Sequence, residues 1–192
     1  GQMDQIKINF AVAFDIALHE LVDTRGNDAT FDELWDLFNG HLEQAVGFTA
    51  RAVDHHHDHK QNVCPELVMD LLCTGPIEKG IDASAGGLEF YPIGVDGAGL
   101  ATVADSFAAI DQRVLQEKRL DWVQLLRHLD NDWKESDGET IRLAMNTIKR
   151  YGSGGSAADR YAERITELYN SLVTAHPTPG GLQMVPGLFS WA

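Results

Sequence analysis

The segment from Cys64 to Gln112 constrains the fold more than any other part of the chain, because glycine-rich turns separate its apolar runs. Apolar residues at helical spacing predict a short helix after Pro65. Leu88 to Ile93 is a short apolar run between glycines, and it predicts a strand that is covered on both faces. Thr102 then predicts the N-cap of an amphipathic helix. A buried strand that leads through a glycine turn into a helix is half of a βα unit, in which ligands bind at the turn.

The order of motifs in this segment resembles that of a known family. The matching positions are Pro65, Ile77-Glu78-Lys79-Gly80, Gly86-Gly87, Gly97, Gly99 and Thr102 to Ile110. This order is similar to the late barrel segment of glycyl radical enzymes, the family of pyruvate formate-lyase, the radical diol dehydratases and choline trimethylamine-lyase. Weaker similarity extends over nearly the whole chain. The resemblance implies an α/β, mostly helical fold, in which residues 1–192 are a single segment of a ten-stranded β/α barrel domain with surrounding helices.

The resemblance also implies a function. Family members are radical-based lyases, dehydratases or acyltransferases that act on a small molecule, are anaerobic, and store the radical on a C-terminal glycine. A central cysteine becomes the thiyl that abstracts a substrate hydrogen. The expected partners are therefore the rest of the enzyme chain, a radical S-adenosylmethionine activating enzyme and a small-molecule substrate.

The radical residues themselves are not expected in this segment. Aligned by order, the catalytic cysteine loop would precede Gly1, and the sequence contains no R-V-x-G-Y motif for the radical glycine. The chain ends on GLFSWA, which suggests a cut through a structural element. We therefore expect no catalytic residue, no bound cofactor and no metal in this chain. The glycyl radical is expected on a part of the protein outside this chain, and the isolated chain is expected to be inactive.

The two cysteines, Cys64 and Cys73, do not match the context of the family's catalytic cysteine, which has a glycine before it and often a glutamate two residues after it. Two thiols are too few for a disulfide scaffold and suit a reducing cytosol. We predict that both are buried structural thiols and that the protein is cytoplasmic.

The composition limits the possible partners. The 15 lysines and arginines against 29 aspartates and glutamates give a net charge of −14. Such an acidic chain is expected to repel nucleic acid and anionic membranes, because no basic cluster interrupts the negative field. No apolar run reaches transmembrane length.

A histidine cluster at His55, His56, His57 and His59 is the main alternative site. His55 and His59 lie one helical turn apart and are spaced to share a metal ion, but no third ligand follows at a recognisable spacing. Combining them with Cys64 and Cys73 matches no standard zinc finger. The interpretation that we favour is a solvated helix end; the alternative is a small acidic helical binding protein with a weak metal site.

Three polar residues in or beside the predicted strand are candidate substrate-binding residues: Glu89, Tyr91 and Asp96. A buried carboxylate must be paired or functional. Alternation along a strand predicts that Glu89 and Tyr91 share the face toward the barrel interior. The run GVDGAGLAT is predicted to be a turn at the barrel mouth, and it lacks the G-K-[ST] of a phosphate loop.

Periodicity predicts helices over most of the remaining chain. The predicted helices are Ile6 to Val22, Thr30 to about His59 with a Thr30–Glu33 capping box, Trp122 to Trp133, a shorter one capped by Asp137, and one capped by Ser156 that ends at His176. Leu182 to Trp191 contains Pro186, so any strand there is predicted to be short or at a sheet edge. We therefore expect about two strands in a mainly helical chain.

Overall fold

A computed structural model describes residues 5–189, and in this range three strands form one sheet. The strands are β1 (Gln5–Asn9), β2 (Ile93–Ala98) and β3 (Met184–Phe189). Their order is β1-β2-β3, so β2 is central and β3 lies at an edge, as expected for a strand with a proline in it. The sequence predicts a helix from Ile6, and β1 was not anticipated.

Helices dominate the described chain. They are α1 (Phe10–Arg25), α2 (Phe31–Val63), α3 (Leu67–Leu72), α4 (Pro76–Lys79), α5 (Leu100–Ile110), α6 (Trp122–Asp130), α7 (Gly138–Asn146) and α8 (Ala157–Ala175). The mostly helical α/β class predicted from the sequence is confirmed. None of the helices in residues 5–189 is both long enough and apolar enough to cross a membrane.

The position of β2 differs from the prediction. Residues 88–92 are irregular and Phe90 is 81% exposed, whereas the strand runs through the segment predicted to be a glycine turn. Pro92 has no N–H for a strand ladder. A Cβ at Gly97 would overlap the ring of Phe10, so this glycine is what lets an aromatic ring pack directly on the strand.

The described residues divide into two compact parts, 5–8 with 44–96 and 170–187, and 9–43 with 97–169 and 188–189. An aromatic cluster forms the core of the second part. The ring of Phe107 is fully buried, and its centroid lies 4.9 Å from that of Phe14, 5.5 Å from Phe38 and 5.2 Å from Trp35. The contacts with Phe14 and Phe38 are edge-to-face, an arrangement that stabilises a core beyond its buried area. The helical periodicity therefore identified the buried positions Phe14, Phe38 and Phe107 of α1, α2 and α5 correctly.

Side-chain caps fix several helix starts. Thr30 and Glu33 form the predicted capping box before α2, with Glu33 accepting from the Thr30 backbone at 3.0 Å. The Ser156 hydroxyl accepts a backbone hydrogen bond at the start of α8, as predicted. The prediction that Thr102 caps α5 is wrong, because α5 begins two residues earlier, after Gly99 in the left-handed conformation (φ +92°).

One buried arginine ties the end of α5 to α7. After Ile110 the helix widens into a π-helical segment, Asp111–Gln116, which carries Arg113 inward. Its guanidinium donates to the backbone carbonyl of Ala144 at 3.0 Å and to that of Thr147. Hydrogen bonds from Arg113, together with others, lower the pKa of the Glu117 carboxyl to about 2. Charged hydrogen bonds of this kind are stronger than neutral ones, so Glu117 holds the arginine in place.

Candidate functional site

The first of the matching motifs lie in residues 65–92, a segment of two short helices and irregular backbone that is called the motif loop here. The later ones, from Gly97 to Ile110, lie in and after β2. Two carboxylates brace the motif loop. Asp82 accepts hydrogen bonds from the backbone N–H of Glu66 at 2.9 Å and of Ser84 at 2.8 Å, and Asp70 accepts from the N–H of Ala83 at 2.7 Å. These side chains satisfy backbone donors that no regular element pairs. The loop is therefore a defined structure rather than a loose connection.

The charged residues of the I-E-K-G turn serve the same purpose. Glu78 accepts a hydrogen bond from the backbone N–H of Gly75 at 2.9 Å, at the start of α4. Lys79 donates from Nζ to the carbonyl oxygens of Leu88 at 3.2 Å and Gly86 at 3.5 Å. Both charged side chains of this motif thus bind backbone groups of the motif loop. This structural role explains why they are charged, and no catalytic role is needed.

Two glycines let separate segments of the motif-loop backbone pack directly against each other. Gly75 has φ +114°, and a Cβ there would overlap the carbonyl oxygen of Gly87. A Cβ at Gly87 would in turn overlap the carbonyl oxygen of Ile81 and lie 2.8 Å from that of Asp82. Backbone sits where a side chain would go, so only glycine fits at either position.

The brace at Asp82 predicts how the motif loop responds to acid. Burial raises the pKa of the Asp82 carboxyl, but hydrogen bonds from the Ser84 side chain and backbone and from the Glu66 backbone outweigh it and lower the pKa below the ordinary 3.8. A carboxyl whose pKa is lower in the folded protein than in the unfolded one stabilises the fold at pH values above its unfolded pKa. This stabilisation is lost as the pH falls through the folded pKa.

We therefore expect amide protection in the motif loop to be constant from neutral pH down to about pH 4 and to fall below it. In Asp82→Asn this acid step should be smaller, because Asp70 and Glu78, which also accept backbone hydrogen bonds in the loop, still titrate, and protection should be lower throughout. Hydrogen exchange across a pH series measures both. An acid step that persists unchanged in Asp82→Asn would contradict the assignment.

Asp96 is the buried acid of this region. It lies in β2 and is 8% exposed. A Cβ at Gly187 would overlap its Oδ1 and lie 3.3 Å from its Cγ, so the carboxylate packs directly against the backbone of β3. A carboxylate that a protein keeps buried against a glycine is a candidate for function, because desolvation of a charge is costly.

The three predicted substrate-binding residues have different surroundings. Glu89 is exposed, and its backbone N–H donates to the Thr74 carbonyl at 3.3 Å. The ring of Tyr91 lies against α2, with its centroid 5.0 Å from that of His57. The prediction that Glu89 and Tyr91 share one face of a strand is wrong, because residues 88–92 are not a strand. Asp96 is the one of the three that lies in the sheet.

The histidine cluster lies within α2, which extends to Val63, beyond the predicted helix end. His55 and His59 are exposed, with ring centroids 4.4 Å apart. His59 Nδ1 donates to the His55 carbonyl at 2.7 Å, so one of the ring nitrogens in the proposed pair is already used. This geometry favours the solvated helix over a metal site.

The cysteines are free but not buried as predicted. Cys64 is exposed and Cys73 is half-buried. They flank α3, which buries none of its residues within the described structure; its side chains Leu67, Val68, Leu71 and Leu72 are 66–76% exposed. The apolar pattern predicted the helix, but the described residues do not bury its apolar side chains.

No sequence pattern indicates a further polar cluster, which the structure forms at the end of α6 and in the turn that follows it, from His128, Glu135 and Asp137. The spacing corresponds to no standard metal motif. Local turn geometry, rather than periodicity, creates the cluster.

Known proteins place these features in a family. The family model described as pyruvate formate lyase-like matches residues 2–192. The trans-4-hydroxy-L-proline dehydratase of Clostridioides difficile is 29% identical over 157 residues, which cover 81% of this chain and 20% of that protein. The (2S)-3-sulfopropanediol dehydratase of Klebsiella oxytoca is 30% identical over 111 residues, covering 58% of this chain and 13% of that protein. The chain thus spans a fifth or less of the length of these curated relatives.

Solved structures share the fold. The glycerol-bound B12-independent glycerol dehydratase from Clostridium butyricum superposes with a TM-score of 0.80 at 21% identity, covering 95% of this chain and 24% of that one. A glycyl radical enzyme from Archaeoglobus fulgidus gives a TM-score of 0.79 at 24% identity, covering 94% of this chain and 24% of that one. The chain therefore belongs to the pyruvate formate lyase-like family, the glycyl radical enzyme family that its motifs predict.

Proposed function

We propose that this chain is a segment of the barrel domain of a glycyl radical dehydratase, a lyase that removes water from a small hydroxylated molecule. One observation carries the proposal: the family match extends over residues 2–192, and both curated relatives described above are named as dehydratases of hydroxyl-bearing substrates. A dehydratase fits these relatives better than an acyltransferase. The small acidic binding protein finds no support among them.

In this proposal the segment contributes part of a barrel wall. The sheet of three strands leaves an outer edge on β1 and on β3, and exposed edges of this kind are normally paired or covered. A barrel of ten strands would supply the missing neighbours from other parts of a longer protein. The exposed apolar side chains of α3 favour the same arrangement, because a soluble surface rarely leaves so many together.

Asp96 is the best-supported substrate-binding residue. Loss of a hydroxyl as water requires a proton to be delivered to the departing oxygen, and carboxyl groups are common proton donors and acceptors. Asp96 is buried in the central strand β2, where a barrel interior would adjoin it. Tyr91 remains a second candidate. Glu89 stays a weaker prediction, because its side chain is exposed.

The remaining parts of the enzyme would lie outside these residues. The sequence contains neither an R-V-x-G-Y motif nor a cysteine in the catalytic context. The proposal therefore assigns the stored radical and the thiyl cysteine to other segments, with a radical S-adenosylmethionine activating enzyme as partner. A cytoplasmic location also remains a prediction.

Electron paramagnetic resonance tests this proposal. The complete protein encoded by the reading frame around this chain should show a glycyl doublet after incubation with an activating enzyme and S-adenosylmethionine. The 192-residue chain, treated in the same way, should show none and should not dehydrate any substrate. A doublet on the chain alone, or none on the complete protein, would overturn the assignment.

A further inference from the structure

A histidine outside the proposed substrate site has an unsatisfied ring nitrogen. His128 lies on the last turns of α6 and is 2% exposed. Its Nδ1 is buried and has no hydrogen-bond partner within residues 5–189. A buried polar nitrogen without a partner is unfavourable, because nothing compensates for the loss of its hydration. Such an atom calls for a ligand that the protein chain does not supply.

Two carboxylates face this ring. Glu135 Oε2 lies 3.9 Å from His128 Nδ1, and Asp137 Oδ1 lies 4.0 Å from Nε2. One ring nitrogen and one oxygen from each carboxylate all lie within 4.8 Å of one another. These separations are too long for direct hydrogen bonds. They suit three groups arranged around a common ion.

The turn between α6 and α7 holds the three groups in place. The Trp133 ring stacks on the His128 ring with centroids 5.8 Å apart and planes 9° apart. Trp133 has φ +57°, and a Cβ at Gly138 would overlap its carbonyl oxygen. Arg127 Nε binds Glu135 Oε1 at 3.0 Å, which leaves Oε2 to face the histidine. The orientation of both the ring and the carboxylate is therefore fixed by neighbours.

We propose that His128, Glu135 and Asp137 bind one divalent transition-metal ion of the zinc class. An imidazole nitrogen with two carboxylate oxygens is a ligand set that zinc accepts, whereas calcium and magnesium prefer oxygen ligands alone. With bonds of about 2.0 Å, tetrahedral ligands lie about 3.3 Å apart, so closing a site whose ligand atoms are up to 4.8 Å apart needs shifts of up to about 1.5 Å. Asp137 is 61% exposed, so it is free to make that movement and leaves a path for the ion.

The ion would have a structural role. It would join the end of α6 to the start of α7 through a turn that contains two consecutive non-glycine residues in the left-handed conformation, Asp132 and Trp133. Such residues are uncommon and need support from their surroundings. This proposal stands apart from the proposed radical chemistry and does not depend on it.

Cobalt and zinc binding to the full, metal-free chain tests the proposal. We expect one Co²⁺ per chain with visible absorption bands, and stoichiometric displacement by Zn²⁺. Glu135→Gln and Asp137→Asn keep side-chain size, and each should weaken binding by about tenfold or more. Glu139→Gln is the matched control, because that nearby carboxylate pairs with Arg142 instead, at 2.8 Å; it should leave binding unchanged. Circular dichroism checks that each variant folds.

Three results would overturn the site. One is the absence of a stoichiometric ion on the folded chain. Another is binding that survives both Glu135→Gln and Asp137→Asn. The third is binding that is lost only in a His55→Ala/His59→Ala double variant, which would move the ion to the exposed histidine cluster of α2.

Discussion

Gly87→Ala is expected to lower the free energy of unfolding by about 3 kcal/mol or more, which is at the upper end for a single methyl group. The new Cβ would overlap the Ile81 carbonyl oxygen and crowd that of Asp82, both of which are backbone atoms. Backbone cannot rotate away as a flexible side chain can. The motif loop would have to open, and the hydrogen bonds that Asp82 makes to it would be lost with it.

Gly40→Ala is the matched control. Gly40 lies in α2, and a Cβ there would have no neighbour within 4 Å. Alanine is the better helix former by about 0.8–1 kcal/mol, so this variant should be as stable as the parent or more stable. Urea denaturation of the full chain measures the free energy of unfolding of both variants. Equal slopes of this free energy against urea concentration show that the transitions are comparable. A Gly87→Ala protein within 1 kcal/mol of the parent, on the scale of ordinary substitutions, would show that the contact is wrongly placed.

Asp96→Asn is expected to reduce dehydratase turnover of the complete protein by about 100-fold or more, since a positioned acid or base contributes about 10²–10⁴-fold. Asparagine keeps the shape that fits against Gly187 in β3, so the fold should survive. The glycyl doublet should keep its intensity after activation, because Asp96 is proposed to act on the substrate rather than on the radical. Turnover per radical is therefore the quantity to measure.

Asp36→Asn makes the same chemical change at an exposed site on α2 and should leave turnover per radical unchanged. If Asp96→Asn also kept full turnover with a normal doublet, Asp96 would have no part in binding or proton transfer. If it lost the doublet instead, its role would lie in activation.

The helices could be predicted well because their signals are local. The pattern of Phe31, Leu34 and Phe38 follows the turn of α2, and the structure buries Leu34 and Phe38 completely. The box between Thr30 and Glu33 marked the start of the helix within one residue. Such signals need no knowledge of distant parts of the chain.

The position of strand β2 could not be predicted from the sequence, because it depends on contacts with residues that are distant in the chain. Glycines at 94 and 97 normally indicate a turn. Here Gly97 makes room for Phe10, a residue far away in the sequence, and Gly187 makes room for Asp96. The apolar run from Leu88 gave the stronger local signal, yet the loop around it is held by Lys79 and needs no strand pairing.

The candidate site was predicted in part. Asp96 was identified by residue type and position near glycines, and its burial supports that choice. Glu89 was chosen because residues 88–93 were predicted to form a strand, and the structure has no strand at Glu89. The cluster around His128 was beyond prediction, because a left-handed Trp133 turns the chain so that residues seven and nine positions later face the histidine.

A crystal structure of the complete protein with a small hydroxylated substrate would show whether this segment forms part of a substrate-binding barrel. We expect β1, β2 and β3 to be hydrogen-bonded into a closed barrel, with the Asp96 carboxylate about 3 Å from a substrate hydroxyl. We also expect other segments of the protein to cover the apolar side chains of α3. A structure in which the sheet stays open, with Asp96 facing away from the substrate, would contradict the proposal.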